Sequence, residues 1–263
     1  MIKTILDISF LIACVVGCFI VTDETWRGAY IGGMLSTMLV IIESIISNGK
    51  YIELLLQSKI IYRRKLIRFS ISYLYKIKVN DRYLLVKGKR IDQYQPVGGV
   101  YKRHSEARTF FNSLNVLADN SMPIDSASKD DLRVRVKGKN VLKFIKWFDS
   151  KAEREVSPVR EFCEELIVPQ ILNRNNFLYF DYSIIKRVTK GIRYSEHFQC
   201  YEYLIADIVE LRPTDSQLIE LQNLLLTPSN EFIWVNENAI NRRGYHPDAG
   251  IDVRISETAQ WIL

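Results

Sequence analysis

One short stretch, Ser157 to Pro169, read SPVREFCEELIVP, constrains this chain more than any other. Ser157 is a good N-cap, Pro158 suits the first helical position, where its missing N–H costs nothing, and Pro169 ends the segment, so the spacing predicts a helix. At about 100° per residue, Val159, Phe162, Cys163 and Leu166 fall on one side while Glu161, Glu164 and Glu165 gather on the other. Carboxylates that close repel one another, which predicts a cation opposite them. Arg160 answers part of that charge, and a divalent ion with oxygen ligands is the natural complement; a solvated acidic face is the alternative.

The apolar residues are unevenly distributed. Two long runs, Ile5 to Val21 and Gly28 to Ser47, fill the beginning of the chain. A helical span of hydrocarbon takes roughly 20 residues, so the expectation is an α-helical transmembrane hairpin over 1–49, followed by a basic juxtamembrane helix over 50–68. The linker TDETWR carries more acid than base, whereas Lys50, Lys59, Arg63, Arg64, Lys65 and Arg68 crowd the far side. By the positive-inside rule both termini are then cytoplasmic. Small residues recur at four-residue spacing, as Ala13 and Gly17 in the first run and Gly28, Gly32 and Ser36 in the second. Such seams serve packing within the hairpin or assembly between chains. Asp7 and Glu43 are candidates for a polar path through the spans.

Residues 69–263 read as an α+β domain. Ser70 to Val79 and Arg82 to Lys87 alternate as strands around the turn Asn80-Asp81. Next comes QYQPVGGVY, in which the pair Gly98 and Gly99 implies a turn or a close approach of backbone to a ligand. Residues 103–151 read as an insertion. Within it the polar stretch DNSMPIDSASKDD precedes LRVRVK, a strand that puts Arg133, Arg135 and Lys137 on one face, either solvated or bound to phosphate. NVLKFIKWF follows as an amphipathic helix with Asn140 as its cap. Phe177 to Lys190 and Glu196 to Leu211 are expected to pair as strands around Gly191. His197 shares a face with Gln199 there, as a base, a nucleotide contact or an ordinary surface histidine. A helix over Asp215 to Leu225, a strand over Glu231 to Val235, an irregular loop over 241–250 and a closing helix over Ile255 to Leu263 complete the domain.

The net charge of +6 favours an anionic partner: headgroups, nucleotides or nucleic acid. The four cysteines show no CxxC or Cys/His metal spacing and no disulfide framework, so the part of the chain after the apolar runs is expected in the cytosol.

RYLLVK, then QYQPVGG, then RExxEE on a helix resembles the Nudix hydrolase signature, GX5EX7REUXEEXGU. Arg160, Glu161, Phe162, Glu164 and Glu165 match its REUXEE core, and Gly99 matches its leading glycine. The resemblance implies a mixed sheet sandwiched between helices. It also implies Mg²⁺ held by Glu161, Glu164, Glu165 and the Gly99 carbonyl to polarise a diphosphate linkage, with Glu164, Glu165 and Arg160 as the catalytic set, in which Arg160 orients the carboxylates by salt bridging. The chain departs from the pattern where a glutamate is expected, since Ser105 stands there, and where Ile167 replaces the glycine that ends the helix. About fifty residues separate the two halves of the signature, so the site either hydrolyses with an insertion or binds nucleotide without cleaving it.

A two-span hairpin on such a domain is similar to the SMODS-associated Nudix effectors of bacterial anti-phage CBASS systems. That likeness implies a receptor for a cyclic oligonucleotide second messenger, rather than for a nucleic acid polymer, made by a partner CD-NTase nucleotidyltransferase. The candidate nucleotide contacts are Arg133, Arg135, Lys137, Gly98, Gly99 and His197. It further implies a multi-pass inner-membrane protein that meets inner-membrane lipids, forms a homo-oligomer on activation and disrupts the membrane to cause abortive infection. A membrane-anchored Mg²⁺-dependent hydrolase of nucleoside diphosphate derivatives is the alternative.

Overall fold

A computed structural model describes residues 2–121, 125, 128–246, 250–251 and 253–263 and divides into two compact units, Met1–Ile61 and Tyr62–Leu263. Parts of the polar stretch, 122–124 and 126–127, and of the loop over 241–250, 247–249, lie outside the described residues.

The first unit is a helical hairpin of α1 (Ile2–Ile20) and α2 (Glu24–Leu56), closed by one π turn, Gln57–Ile61. Asp23 caps α2 by accepting from the backbone N–H groups of Thr25 and Trp26. The two helices approach at glycines: a Cβ on Gly17 would lie 2.6 Å from the Tyr30 ring, and one on Gly33 would lie 3.0 Å from Cys14 Sγ. Gly28 and Gly32 face open space, so only part of the expected small-residue seam is used for packing within the hairpin.

No helix among the described residues is long and apolar enough to cross a membrane. The ionisable Asp7 interrupts α1, while Ser36, Thr37, Glu43 and Glu53 interrupt α2, and both hydroxyls turn back to the Gly33 carbonyl. The transmembrane hairpin and the multi-pass inner-membrane location therefore have no span to rest on.

The second unit is α+β, built on a mixed sheet. Its centre is β1 (Leu66–Lys76), and the small antiparallel sheet beside it contains β2 (Lys78–Val79), β3 (Arg82–Lys87) and β4 (Tyr94–Pro96). β5 (Gly98–Val100) pairs antiparallel with β1. After α3 (Arg108–Leu114) come β6 (Leu117–Ala118) and β7 (Arg133–Lys137), the latter also antiparallel to β1. β5 takes Ser72 to Leu74 and β7 takes Leu66 to Ser70, so the two lie end to end along one edge of β1. Next are α4 (Val141–Asp149), α5 (Val159–Phe162), β8 (Asp181–Ser195) and β9 (Cys200–Arg212). β9 runs parallel to β1 and antiparallel to β8, which forms the outer strand and shifts register between Ile184 and Lys186 and between Lys190 and Arg193. α6 (Asp215–Leu225), β10 (Phe232–Val235), α7 (Glu237–Asn241), β11 (Tyr245–His246), β12 (Gly250–Ile251) and a 3-10 turn, Glu257–Ile262, finish the chain.

β1 is covered on both faces. On one, Ile67, Phe69, Ile71, Tyr73 and Tyr75 are wholly buried; Phe69 meets Phe144 of α4, and Tyr75 meets Phe162 of α5. On the other, Leu74 joins a core with Tyr83, Leu85, Ile208, Ile240 and Trp261. Burial of such side chains contributes about 1.5–3 kcal/mol each, so these layers fix where the signature segment sits.

Three local expectations differ from the fold. The turn between β8 and β9 is Glu196 to Gln199, not Gly191, because Gly191 lies inside β8 at its second register shift. Asn140 does not cap α4; its side chain donates to the Leu114 carbonyl at 2.9 Å. The closing segment is a 3-10 turn rather than an α-helix.

Candidate functional site

The site is assembled from the double glycine and the segment after residue 157. β5 places Gly98 opposite Leu74 and Gly99 opposite Tyr73. Gly98 has φ +143°, and a Cβ on it would lie 2.2 Å from the Tyr73 carbonyl oxygen. No side chain fits there, and Gly98→Ala is expected to destabilise the domain by about 2–3 kcal/mol, measured by chemical denaturation; an unchanged midpoint would refute the close approach. Gly99 has a different neighbour, since its Cβ would fall 2.1 Å from Glu161 Oε1, so glycine there leaves room for a carboxylate.

The predicted helix begins as α5 and then widens into a π turn, Cys163–Ile167, in which the Val168 N–H reaches the Cys163 carbonyl at 2.8 Å. Phe162 and Leu166 are fully buried, and Phe162 stacks on Phe180 at 4.1 Å. With that side anchored, the carboxylates turn toward β5. Glu165 Oε2 accepts the Gly98 N–H at 2.8 Å. Arg160 stands among the others: its Nε donates to Glu155 Oε1 at 3.0 Å, Nη1 donates to Glu161 and lies 3.5 Å from Glu164, and Nη2 donates to the Val100 carbonyl at 2.9 Å. Glu164 is the open member, with a side chain 49% exposed against 16% for Glu161.

Burial sets the electrostatics. It pushes the Glu165 carboxyl up to about 8, against the opposing Gly98 N–H, so Glu165 is largely protonated at neutral pH. Glu161 is also raised by burial, though the charge and hydrogen bond of Arg160 hold it back. Burial alone would lower Arg160, but its bonds to Glu155 and the charge of Glu161 outweigh this and keep it firmly cationic.

Gly98, Gly99, Arg160, Glu161, Glu164 and Glu165 thus come together, and the other named residues lie elsewhere. In β7 Val134 and Val136 are buried while Arg133, Arg135 and Lys137 turn outward; Arg133 pairs with Asp131, Arg135 donates to Asp119 and Ser121, and Lys137 is exposed. His197 is exposed at the tip of the β8–β9 hairpin, its ring edge-on to Phe198. β9 starts opposite Ile67 whereas Gly98 sits opposite Leu74, a separation of roughly 23 Å along β1. His197 therefore takes no part in the carboxylate cluster.

Sequence reading missed Glu155 as the main partner of Arg160. The signal was an acid five positions ahead of the arginine, out of register with the signature, and the bend between the two segments brings them together.

The carboxylates do not fit a divalent cation as they stand. Among the described residues no group of three or more His, Cys, Asp or Glu side chains is arranged to hold a metal ion. Arg160 takes the position between Glu161 and Glu164, and Glu165 is turned to the Gly98 amide. The arrangement can hold one proton on Glu165 and present the partly exposed Glu164.

A family model described as the SMODS-associated NUDIX domain matches residues 66–263. No curated protein matches the chain.

Proposed function

Because this chain belongs to the SMODS-associated NUDIX domain family over residues 66–263, a nucleotide-signal-related Nudix-like fold, we propose that it senses a cyclic oligonucleotide rather than hydrolysing a nucleotide. The observation that supports this reading is the state of the signature carboxylates: among the described residues no group of three or more His, Cys, Asp or Glu side chains is arranged to hold a metal ion, and Arg160 is ion-paired to Glu155, Glu161 and Glu164. In this reading the ligand comes from a partner nucleotidyltransferase of a CBASS-type antiviral system. A ligand that favours the assembled form shifts the chain toward a homo-oligomer by differential affinity, and that assembly is the output that leads to abortive infection. The helical unit offers exposed Phe10, Phe19, Ile20 and Leu39 for such assembly. No membrane step belongs to the proposal.

The test is a thermal-shift and light-scattering panel on the full chain with cyclic di- and trinucleotides and linear nucleotides. At 100 times its Kd, a cyclic ligand adds about 2.7 kcal/mol and raises the Tm by roughly 5–10 °C, with a rise in molar mass. An unmoved Tm across the cyclic panel rejects the reading.

The second reading, a Mg²⁺-dependent hydrolase of nucleoside diphosphate derivatives, draws on the placement of Glu161 and Glu165 against the double glycine. It requires phosphate release that stops on combined Glu164→Gln and Glu165→Gln substitution.

A further inference from the structure

Beside the signature lies a cavity of about 570 Å³, within the ~300–1,000 Å³ range of small-molecule sites. Its walls bring together the β3–β4 loop, residues 103–118 and the approach to β7. Five cations line it (Arg90, Arg103, Arg108, Lys129 and Arg133) against three acids, Asp119, Asp130 and Asp131.

The acids are already answered. Asp130 pairs with Arg103 at 3.3 Å, and Asp131 pairs with Arg133. Asp119 is held from behind by Arg68 at 2.7 Å and by Arg135 at 3.4 Å. Arg108 and Lys129 have no carboxylate partner among the described residues, so the cavity carries a surplus of positive charge on exposed side chains. In the wall itself the Arg103 guanidinium lies over the buried Phe111 ring at 5.1 Å, which leaves the outer face of the partly exposed guanidinium plane for a base to stack on.

The altered signature supports the same assignment. Ser105, which stands where the family pattern expects a glutamate, lines this cavity, and a carboxylate there would oppose an anion. Cavity and signature also share one segment. The Val100 carbonyl binds Arg160, the Lys102 N–H donates to Glu155 at 3.1 Å, and the next residue, Arg103, is cavity wall.

We infer that this cavity, and not the carboxylate cluster, is the binding site for a nucleoside phosphate, with Arg108 and Lys129 taking the phosphates and the Arg103 guanidinium plane, backed by Phe111, facing the base. The inference rests on the sensor reading for the identity of the ligand, but not for the anion site itself.

Titration of the full chain with cyclic di-AMP, cyclic tri-AMP, ATP and inorganic tripolyphosphate tests it, using the wild type, the combined Arg108→Glu and Lys129→Glu variant, and Glu164→Gln. Removing either charge-assisted bond to phosphate is expected to weaken binding about tenfold or more, while Glu164→Gln leaves binding unchanged. The thermal midpoint of each unliganded variant, and a milder Arg108→Ala, separate loss of binding from loss of fold. Nucleotide binding that survives the double substitution in a folded protein overturns the placement and leaves the sensor reading standing. Tripolyphosphate binding that the double variant loses, with every nucleotide inert, keeps the anion site and removes the sensor reading. If no probe binds, both fall.

Discussion

Arg160→Ala is expected to destabilise the Nudix-like domain by about 3–5 kcal/mol, because it removes the cation from a buried ion-pair cluster and leaves the carboxylates facing one another. The side chains of Glu155 and Glu161 are only 14% and 16% exposed, so water replaces the guanidinium poorly. The Val100 carbonyl loses its donor as well. Arg160→Lys rescues little, since a point charge cannot reach two carboxylates and a carbonyl in the geometry of the planar fork. Adding Glu155→Gln and Glu161→Gln to Arg160→Ala removes the repulsion and restores part of the loss. Urea denaturation at pH 7 measures all three, and a loss below about 1 kcal/mol for Arg160→Ala would mean that the cluster is solvated.

Glu165→Gln is expected to act in the opposite direction and to depend on pH. Burial raises the folded carboxyl from 4.5 to about 8, so between those values the folded chain keeps a proton that the unfolded chain releases. Stability linked to this group is complete below about pH 4.5 and declines as pH rises through about 8. Glutamine can still accept the Gly98 N–H and has nothing to ionise. The variant should match the wild type near pH 5 and exceed it increasingly toward pH 9, by up to roughly 4 kcal/mol, since each tenfold change in proton affinity is worth about 1.36 kcal/mol. Denaturation in chelator-containing buffer at several pH values provides the check, and a difference that does not change with pH would show Glu165 ionised in the folded protein.

How much of this is legible in the sequence depends on the range of the interactions. The cluster of Glu161, Glu164 and Glu165 and the outward turn of Arg133, Arg135 and Lys137 follow from spacing within a few residues, and Phe162 and Leu166 are buried as the helical period requires. The π turn is not written in that period; it follows Phe162, which packs on Phe177 and Phe180 further along the chain. Gly191 reads as a turn in isolation, yet the long pairing of β8 with β9 carries the strand through it and moves His197 to the hairpin tip. The first two helices depart from expectation for a related reason: apolar runs suggest a span by composition, and the polar groups that interrupt them weigh against one. The cavity has no local signature, since Arg90, Arg108 and the stretch from Lys129 to Arg133 belong to separate segments that meet only once the sheet has formed.

The outer strand, β8, bears on how copies of the chain avoid fusing with one another. A strand of 15 residues with an open margin is a template on which a second molecule could add a strand of its own, the first step toward a fibre. Its two offsets in pairing break that template into short lengths, and charged side chains stand along it: Lys186 and Lys190, with Arg187 and Arg193 held in ion pairs to Asp207 and Glu202. Broken pairing and charged side chains on an outer strand both oppose strand-to-strand stacking of this kind.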